Sequence, residues 1–152
     1  MLVKGPASAI VLIKEFNKKI NFTDINEQLE TDIPRRIQIA IVDADEDVVY
    51  YVAENVIWPE TKRKEGQKST IKDDDISELT NKGYQVNSGL KFGTHYRVYN
   101  YESKHAPWLI QKVESHMTWI DIARMVRIGH GVNKTIVLFY KKRWTSFEWI
   151  KP

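Results

Sequence analysis

The chain has 152 residues, a formal net charge of +3, 42% hydrophobic residues and no cysteine. That length suits one domain or two small lobes; the missing cysteines exclude disulfides and thiolate metal sites, and no apolar run approaches the ~20 residues of a membrane-spanning helix. The mild basicity permits a nucleic-acid partner without requiring one, and Met1-Leu-Val-Lys-Gly-Pro6 has no leader pattern, so a cytoplasmic protein is expected.

Ala9-Ile-Val-Leu-Ile13 is apolar and β-branched and predicts a buried strand. Thr23 is placed to cap a helix, with Ile25, Leu29 and Ile33 at helical spacing and Pro34 as its stop. Ile37–Val42 and Val48–Val52 predict a hairpin around the acidic tip Asp43-Ala-Asp45-Glu-Asp47. The tip copies the carboxylate spacing of a calcium loop together with Glu54. Val48 stands where such a loop needs glycine, and strands flank it, so no calcium site is expected. Residues 59–74 lack periodicity and predict a linker. Asp75–Lys82 predicts a short helix with Gly83 as its left-handed end. Tyr84–Asn87, Leu90–Phe92, Tyr96–Tyr99 and Trp108–Val113 predict strands. Thr118 is placed to cap a helix whose apolar set is Ile120, Ile122, Ala123, Met125 and Val126. Gly129 and Gly131 weaken its end and allow another backbone to come close. Ile136–Tyr140 and Phe147–Ile150 predict a closing strand pair.

The chain echoes itself. Ile10-Val-Leu-Ile-Lys parallels Trp108-Leu-Ile-Gln-Lys, Ile37–Val42 parallels Ile136–Tyr140, and a helix follows the first strand of each copy. The copies differ in chemistry. Ser8 and Arg35 in the first stand near the slots of His105 and Lys134 in the second, and where the first has the acidic tip the second has Lys141-Lys-Arg143. The expected fold is α/β, with two pseudo-repeated lobes built on mixed sheets. Residues 1–58 form a structural lobe with the acidic loop, 59–74 the linker and 75–152 the second lobe.

Three runs in the second lobe carry a resemblance: Gly89-Leu-Lys-Phe-Gly-Thr-His-Tyr-Arg-Val-Tyr99, His105 followed by Trp108-Leu-Ile110, and Arg127 seven residues before Lys134. Residues 75–152 thereby resemble the catalytic subunit of the archaeal-type tRNA-splicing endonucleases. The run Ile39–Tyr51 is similar to the family's closing strands and acidic loop. The resemblance implies a restriction-endonuclease-like catalytic lobe and a triad of Tyr99, His105 and Lys134. It also implies a base clamp made by Arg127 and Trp149, and a docking role for the loop carrying Asp43, Asp45 and Asp47. The implied reaction cuts precursor tRNA of the bulge-helix-bulge type at its intron boundaries. It uses no cofactor and no metal. Partners are a second copy or a structural subunit, in a homodimer or heterotetramer. His95 stands where the family usually has aspartate, and Ala106 where serine is usual.

The chemistry of the triad stands apart from the name. Cleavage of RNA by its own 2′-hydroxyl needs a base for that proton, an acid for the departing 5′-oxygen and positive charge at the phosphorane. Histidine can be the acid near neutral pH and lysine the cation. Tyrosine, with an ordinary pKa of about 10, either acts as base beside a cation or orients the hydroxyl. Singly, each residue is as well explained by packing, surface exposure or a helix end. His95, His116 and His130 have no such company and are expected to be structural or surface residues. Two rivals remain at this point. Glu102-Ser-Lys104 with Asp73 to Asp75 upstream has the form of a metal-dependent restriction-type nuclease, and a non-catalytic RNA-binding subunit would share the fold.

Overall fold

The computed structural model describes residues 2–4, 10–30, 36–63, 66 and 68–150. Ser8, Ile33, Pro34 and Arg35 lie outside the described residues. In chain order the elements are β1 (Leu2–Lys4), β2 (Ile10–Glu15), α1 (Phe22–Glu30), β3 (Arg36–Val42), β4 (Val48–Asn55), α2 (Ser77–Asn81), β5 (Gln85–Ser88), β6 (Tyr96–Tyr99), β7 (Trp108–Lys112), α3 (Trp119–Gly131), β8 (Thr135–Tyr140) and β9 (Arg143–Ile150). The strands make one mixed α/β sheet in the order β1-β2-β3-β4-β9-β8-β7-β6-β5.

The internal echo becomes topology. A parallel pair β2/β3 is bridged by α1 and followed by antiparallel β4; a parallel pair β7/β8 is bridged by α3 and followed by antiparallel β9. Parallel neighbours need a crossover, and a helix supplies it. The two copies meet at β4 and β9, where Tyr51 lies opposite Trp149 and Ala53 opposite Phe147.

Each face of the sheet carries its own core. On one face, Leu12, Ile37, Ile39 and Tyr51 of the first copy pack with Leu109, Ile136, Leu138 and Phe147 of the second, under α1 and α3. This core runs across the β4/β9 seam without a break. On the other, Val86, Val98, Ile110, Val137 and Trp144 pack with Trp58, Ile76, Leu79 and Tyr84. The alternation Leu109/Ile110 and Ile136/Val137 sends neighbours to opposite faces, as the period of a strand requires. Residues after β4 belong to this second core. The backbone N–H of Val56 donates to Trp144, that of Thr61 to Lys82 and that of Thr70 to Val86. The segment expected as a linker is thus tied to the second copy along much of its described length.

The ends of the helices have identifiable causes. Asn21, not Thr23, caps α1: its Oδ1 accepts from the Asp24 N–H at 3.2 Å, leaving Thr23 inside the first turn. Thr118 caps α3 in a capping box with Asp121. The remaining donors at that end reach the first copy, Trp119 N–H giving to Lys18 and Ile120 N–H to Phe16. Helix starts leave such donors unpaired, so this seam replaces water with the carbonyls of another segment. Trp119, absent from the expected apolar set, is the largest buried residue of α3, whereas Ile120, Ala123 and Met125 are half-buried.

Leu90–Phe92 is a 3-10 turn rather than a strand. Ser88 Oγ accepts from Leu90 N–H, the Gly89 carbonyl accepts from Phe92 and Thr94, and Gly93 takes φ 73°. Three residues between two glycines make too short a segment to pair, and the turn satisfies their backbone locally. Gly83 does end its helix in the left-handed region, with φ 101°.

Candidate active site

The topology converges five segments on one end of the sheet. Parallel pairing of β7 and β8 puts their starts together, Trp108 opposite Thr135. Antiparallel β6 brings its end there, and antiparallel β9 brings Glu148 and Trp149. A crossover helix must finish where its next strand begins, so the end of α3 arrives as well.

Tyr99 closes β6 and is half-buried. His105 is exposed on the loop into β7, after a turn in which Ser103 N–H donates to Asn100. Lys134 follows α3 by three residues. Asn133, at φ 56°, turns the chain, and the Lys134 N–H donates to Gly129 at 2.8 Å. Gly129 allows this approach, since a Cβ there would meet the Lys134 carbonyl at 2.7 Å. Gly131 has nothing within 4 Å of such a position, so the close approach belongs to Gly129 alone of the pair. The Thr135 N–H donates to Pro107, and the Lys134 ammonium donates to the Ala106 carbonyl, tying the histidine loop to the lysine loop.

Tyr99, His105 and Lys134 line one open cleft of about 630 Å³, with Lys91, Phe92, Arg97, Ala106, Pro107, Val132 and Asn133. Its cations are numerous and none of these lining residues is acidic. The Lys134 ammonium lies 5.3 Å from the Phe92 ring centre and the Lys91 ammonium 5.0 Å from it. Arg97 lies 5.8 Å from the Tyr99 ring centre. Burial, with the nearby charges of Lys91 and Arg97, pulls the Lys134 pKa below its ordinary value. Lys91, Phe92 and Arg97 are additions to the set expected from sequence. A signal for Arg97 was present, because residues 97 and 99 are two apart on a strand and share a face.

Arg127 and Trp149 come together beside this cleft. The guanidinium sits 5.4 Å from the indole centre, and His130 meets the same ring edge-on at 5.1 Å. Trp149 is half-buried against the core and lies opposite Tyr51 across the β4/β9 seam. Burial, opposed by the charge of Arg127, raises the Tyr51 pKa. A smaller cavity of about 180 Å³ lined by His130, Glu148 and Trp149 shares Asn133 and Lys134 with the cleft.

Asp73 and Asp75, upstream carboxylates of the metal-nuclease reading, are engaged elsewhere. Asp73 accepts from the Tyr96 hydroxyl and pairs with Lys112, which also meets Asp75 at 3.0 Å. Among the described residues no group of three or more histidines and acids is placed to hold a metal. At the far tip, Asp43 Oδ1 accepts from the N–H groups of Asp45 and Asp47, both at 2.9 Å, so Asp43 shapes the turn while Asp45 and Asp47 stay exposed. His95 Nδ1 accepts from the Lys112 N–H at 3.1 Å. No helix among the described residues is long and apolar enough to cross a membrane.

A model of the family described as "tRNA intron endonuclease, catalytic C-terminal domain" matches residues 76–149. The tRNA-splicing endonuclease of Pyrococcus furiosus is 31% identical over 121 residues, covering 72% of this chain and 68% of that protein. That of Pyrococcus horikoshii is 37% identical over 97 residues, covering 53% and 57%. That of Thermococcus kodakarensis is 37% identical over 83 residues, covering 46% and 49%. The fold that carries the cleft and the sequence around it lead to one assignment: the chain belongs to the tRNA-splicing endonuclease family.

Proposed function

We propose that this chain cuts precursor tRNA at intron boundaries, using Tyr99, His105 and Lys134 in the cationic cleft. The observation that carries the reading is that these three side chains, from three separate segments, line one cleft whose lining includes no acid. The nucleophile is the 2′-hydroxyl of the nucleotide before the cut. Tyr99 takes or orients its proton, the 2′-oxygen bonds to phosphorus, and the bond from phosphorus to the 5′-oxygen breaks. His105 gives the leaving oxygen a proton. Lys134 meets the negative charge that builds on the phosphorane, where a preformed cation needs no reorganisation. The products are a 2′,3′-cyclic phosphate and a 5′-hydroxyl.

Arg127 and Trp149 are proposed as the grip on an unstacked base. Their present spacing is a direct cation–π contact, so a base either displaces the guanidinium or stacks on the exposed part of the pair. An intron has two ends and the described residues of one chain form one such cleft, so the working unit is proposed to be a dimer or a heterotetramer with a structural subunit. The exposed carboxylates Asp45 and Asp47 are proposed to dock on a neighbouring chain, fixing register more than adding affinity. The division into a structural lobe (1–58), a connecting segment (59–74) and a catalytic lobe (75–152) is proposed as a division of labour, although Trp58 packs in the core of the second copy.

The test is cleavage of precursor tRNA carrying a bulged intron junction, in excess chelator, against the same RNA with 2′-deoxyribose at the cut. The expected result is cleavage of the first, with a cyclic phosphate end, and none of the second. Normal cleavage of the deoxy substrate, or loss of all activity to chelator, defeats the internal-nucleophile mechanism.

A further inference from the structure

We propose that Arg97 is a phosphate ligand of the cleft, holding a backbone phosphate of the RNA strand that the cleft cuts. This rests on reading the cleft as an RNA-cleaving site. Strand alternation sends Tyr96 and Val98 into the core and leaves Arg97 with Tyr99 on the cleft side. The protein gives the guanidinium little in return. Its cross-strand neighbours are Asn87 and Leu109, neither of them acidic. Among the described residues Arg97 makes no ion pair, and its Nε is buried with no hydrogen-bond acceptor. Its guanidinium lies over the Tyr99 ring instead.

A buried donor without a partner costs stability, and so does a cation held beside Lys91 and Lys134. An apolar residue at position 97 would avoid both costs. What relieves them together is an anion entering the cleft. An incoming phosphate draws the guanidinium outward, supplies an acceptor for the Nε–H and offers two oxygens that match the planar fork. Lysine would bring the charge without the fork. Lys134, tied to the Ala106 carbonyl beside His105, is left for the reacting phosphorane, while Arg97 holds the strand on the Tyr99 side.

The experiment compares wild type, Arg97→Gln and Arg97→Lys as the assembled protein on precursor tRNA. Affinity is read against salt concentration and cleavage in single turnover, with thermal melting to confirm folding. One lost phosphate contact on a single strand lowers the slope of log affinity against log salt by about 0.7. Arg97→Gln should show that drop and cleave about ten- to a hundred-fold slower; Arg97→Lys should keep the slope yet cleave at least about ten-fold slower. An unchanged slope and rate in a folded Arg97→Gln overturns the proposal. If that variant does not fold, a wild-type rate in Arg97→Lys overturns it. Wild type that binds the RNA and fails to cut it defeats the cleft reading instead, so the two failures are separable.

Discussion

At the scale of single residues, the cleft sorts its members by what each loses when replaced. His105 is exposed and takes no part in the core, so His105→Ala should leave the fold and RNA binding intact. Cleavage should fall by a factor of about 10²–10⁴, the usual share of a general acid. A comparable loss of RNA affinity would show instead that His105 binds. Arg127 and Trp149 touch each other, so their contributions are coupled. Arg127→Ala and Trp149→Ala should each weaken cleavage of bulged RNA, and the double variant should lose less than the product of the two. Trp149 also packs on the core beside Phe147. Melting curves therefore decide whether its loss acts through the substrate or through stability.

At the scale of elements, the turn after α3 sets where Lys134 stands. Gly129→Ala would drive a Cβ to 2.7 Å from the Lys134 carbonyl and about 3 Å from Ile136. Overpacking of this kind costs about 1–3 kcal/mol. The backbone that must move carries Lys134, so activity should fall along with the melting temperature. Gly131→Ala offers the control, because a Cβ there meets nothing within 4 Å. It should be neutral or slightly stabilising, given the better helix propensity of alanine. Equal damage from both would mean that the close approach at Gly129 does not position the lysine.

At the scale of the whole molecule, two charged features act far from the cleft. Asp73 joins the segment before α2 to β6 and β7 through Tyr96 and Lys112. Hydrogen bonds from Lys112 and Tyr96 hold its pKa down at about 2. Burial works against the Lys112 charge, but its bonds to Asp73 and Asp75 outweigh that and push its pKa up. For a depressed carboxylate the stabilisation is present above about pH 4 and lost as pH falls through about 2. It is worth at most about 2 kcal/mol, since 25% of the side chain faces water. Asp73→Asn should therefore melt lower near neutral pH, by no more than ~4–8 °C. The gap from wild type should close between pH 4 and pH 2, and a gap that persists at pH 2 would assign the loss to packing. The acidic tip calls for a different variant. Because Asp43 shapes the turn, Asp45→Asn with Asp47→Asn removes charge without unfolding the hairpin. If the tip docks on a neighbouring chain as proposed, the oligomer should then dissociate or become salt-sensitive, with activity falling alongside; unchanged mass and cleavage would leave the tip without a docking role.

What the sequence determined by itself is what local rules govern. Alternation and β-branching marked β2 to β9 but missed β1, Thr118 marked the start of α3, and Gly83 marked a left-handed end. The repeat was legible because the same β-α-β-β order is written twice. Family motifs, rather than any pattern of spacing, singled out Tyr99, His105 and Lys134. Other features depended on atoms far along the chain. Leu90–Phe92 reads as a strand until Gly89, Ser88 and Gly93 are seen to close it into a turn. Asn21 caps α1 ahead of Thr23 because capping depends on backbone angles that composition does not fix. The merging of two repeats into one sheet, with a core continuous across β4 and β9, follows from burying edges that neither repeat can cover alone. The company around the triad was likewise decided in three dimensions. Lys91, Arg97 and Lys134 lie up to 43 positions apart by their residue numbers. Only strand pairing brings their charges to one cleft, and charge acts through distance in space rather than along the chain.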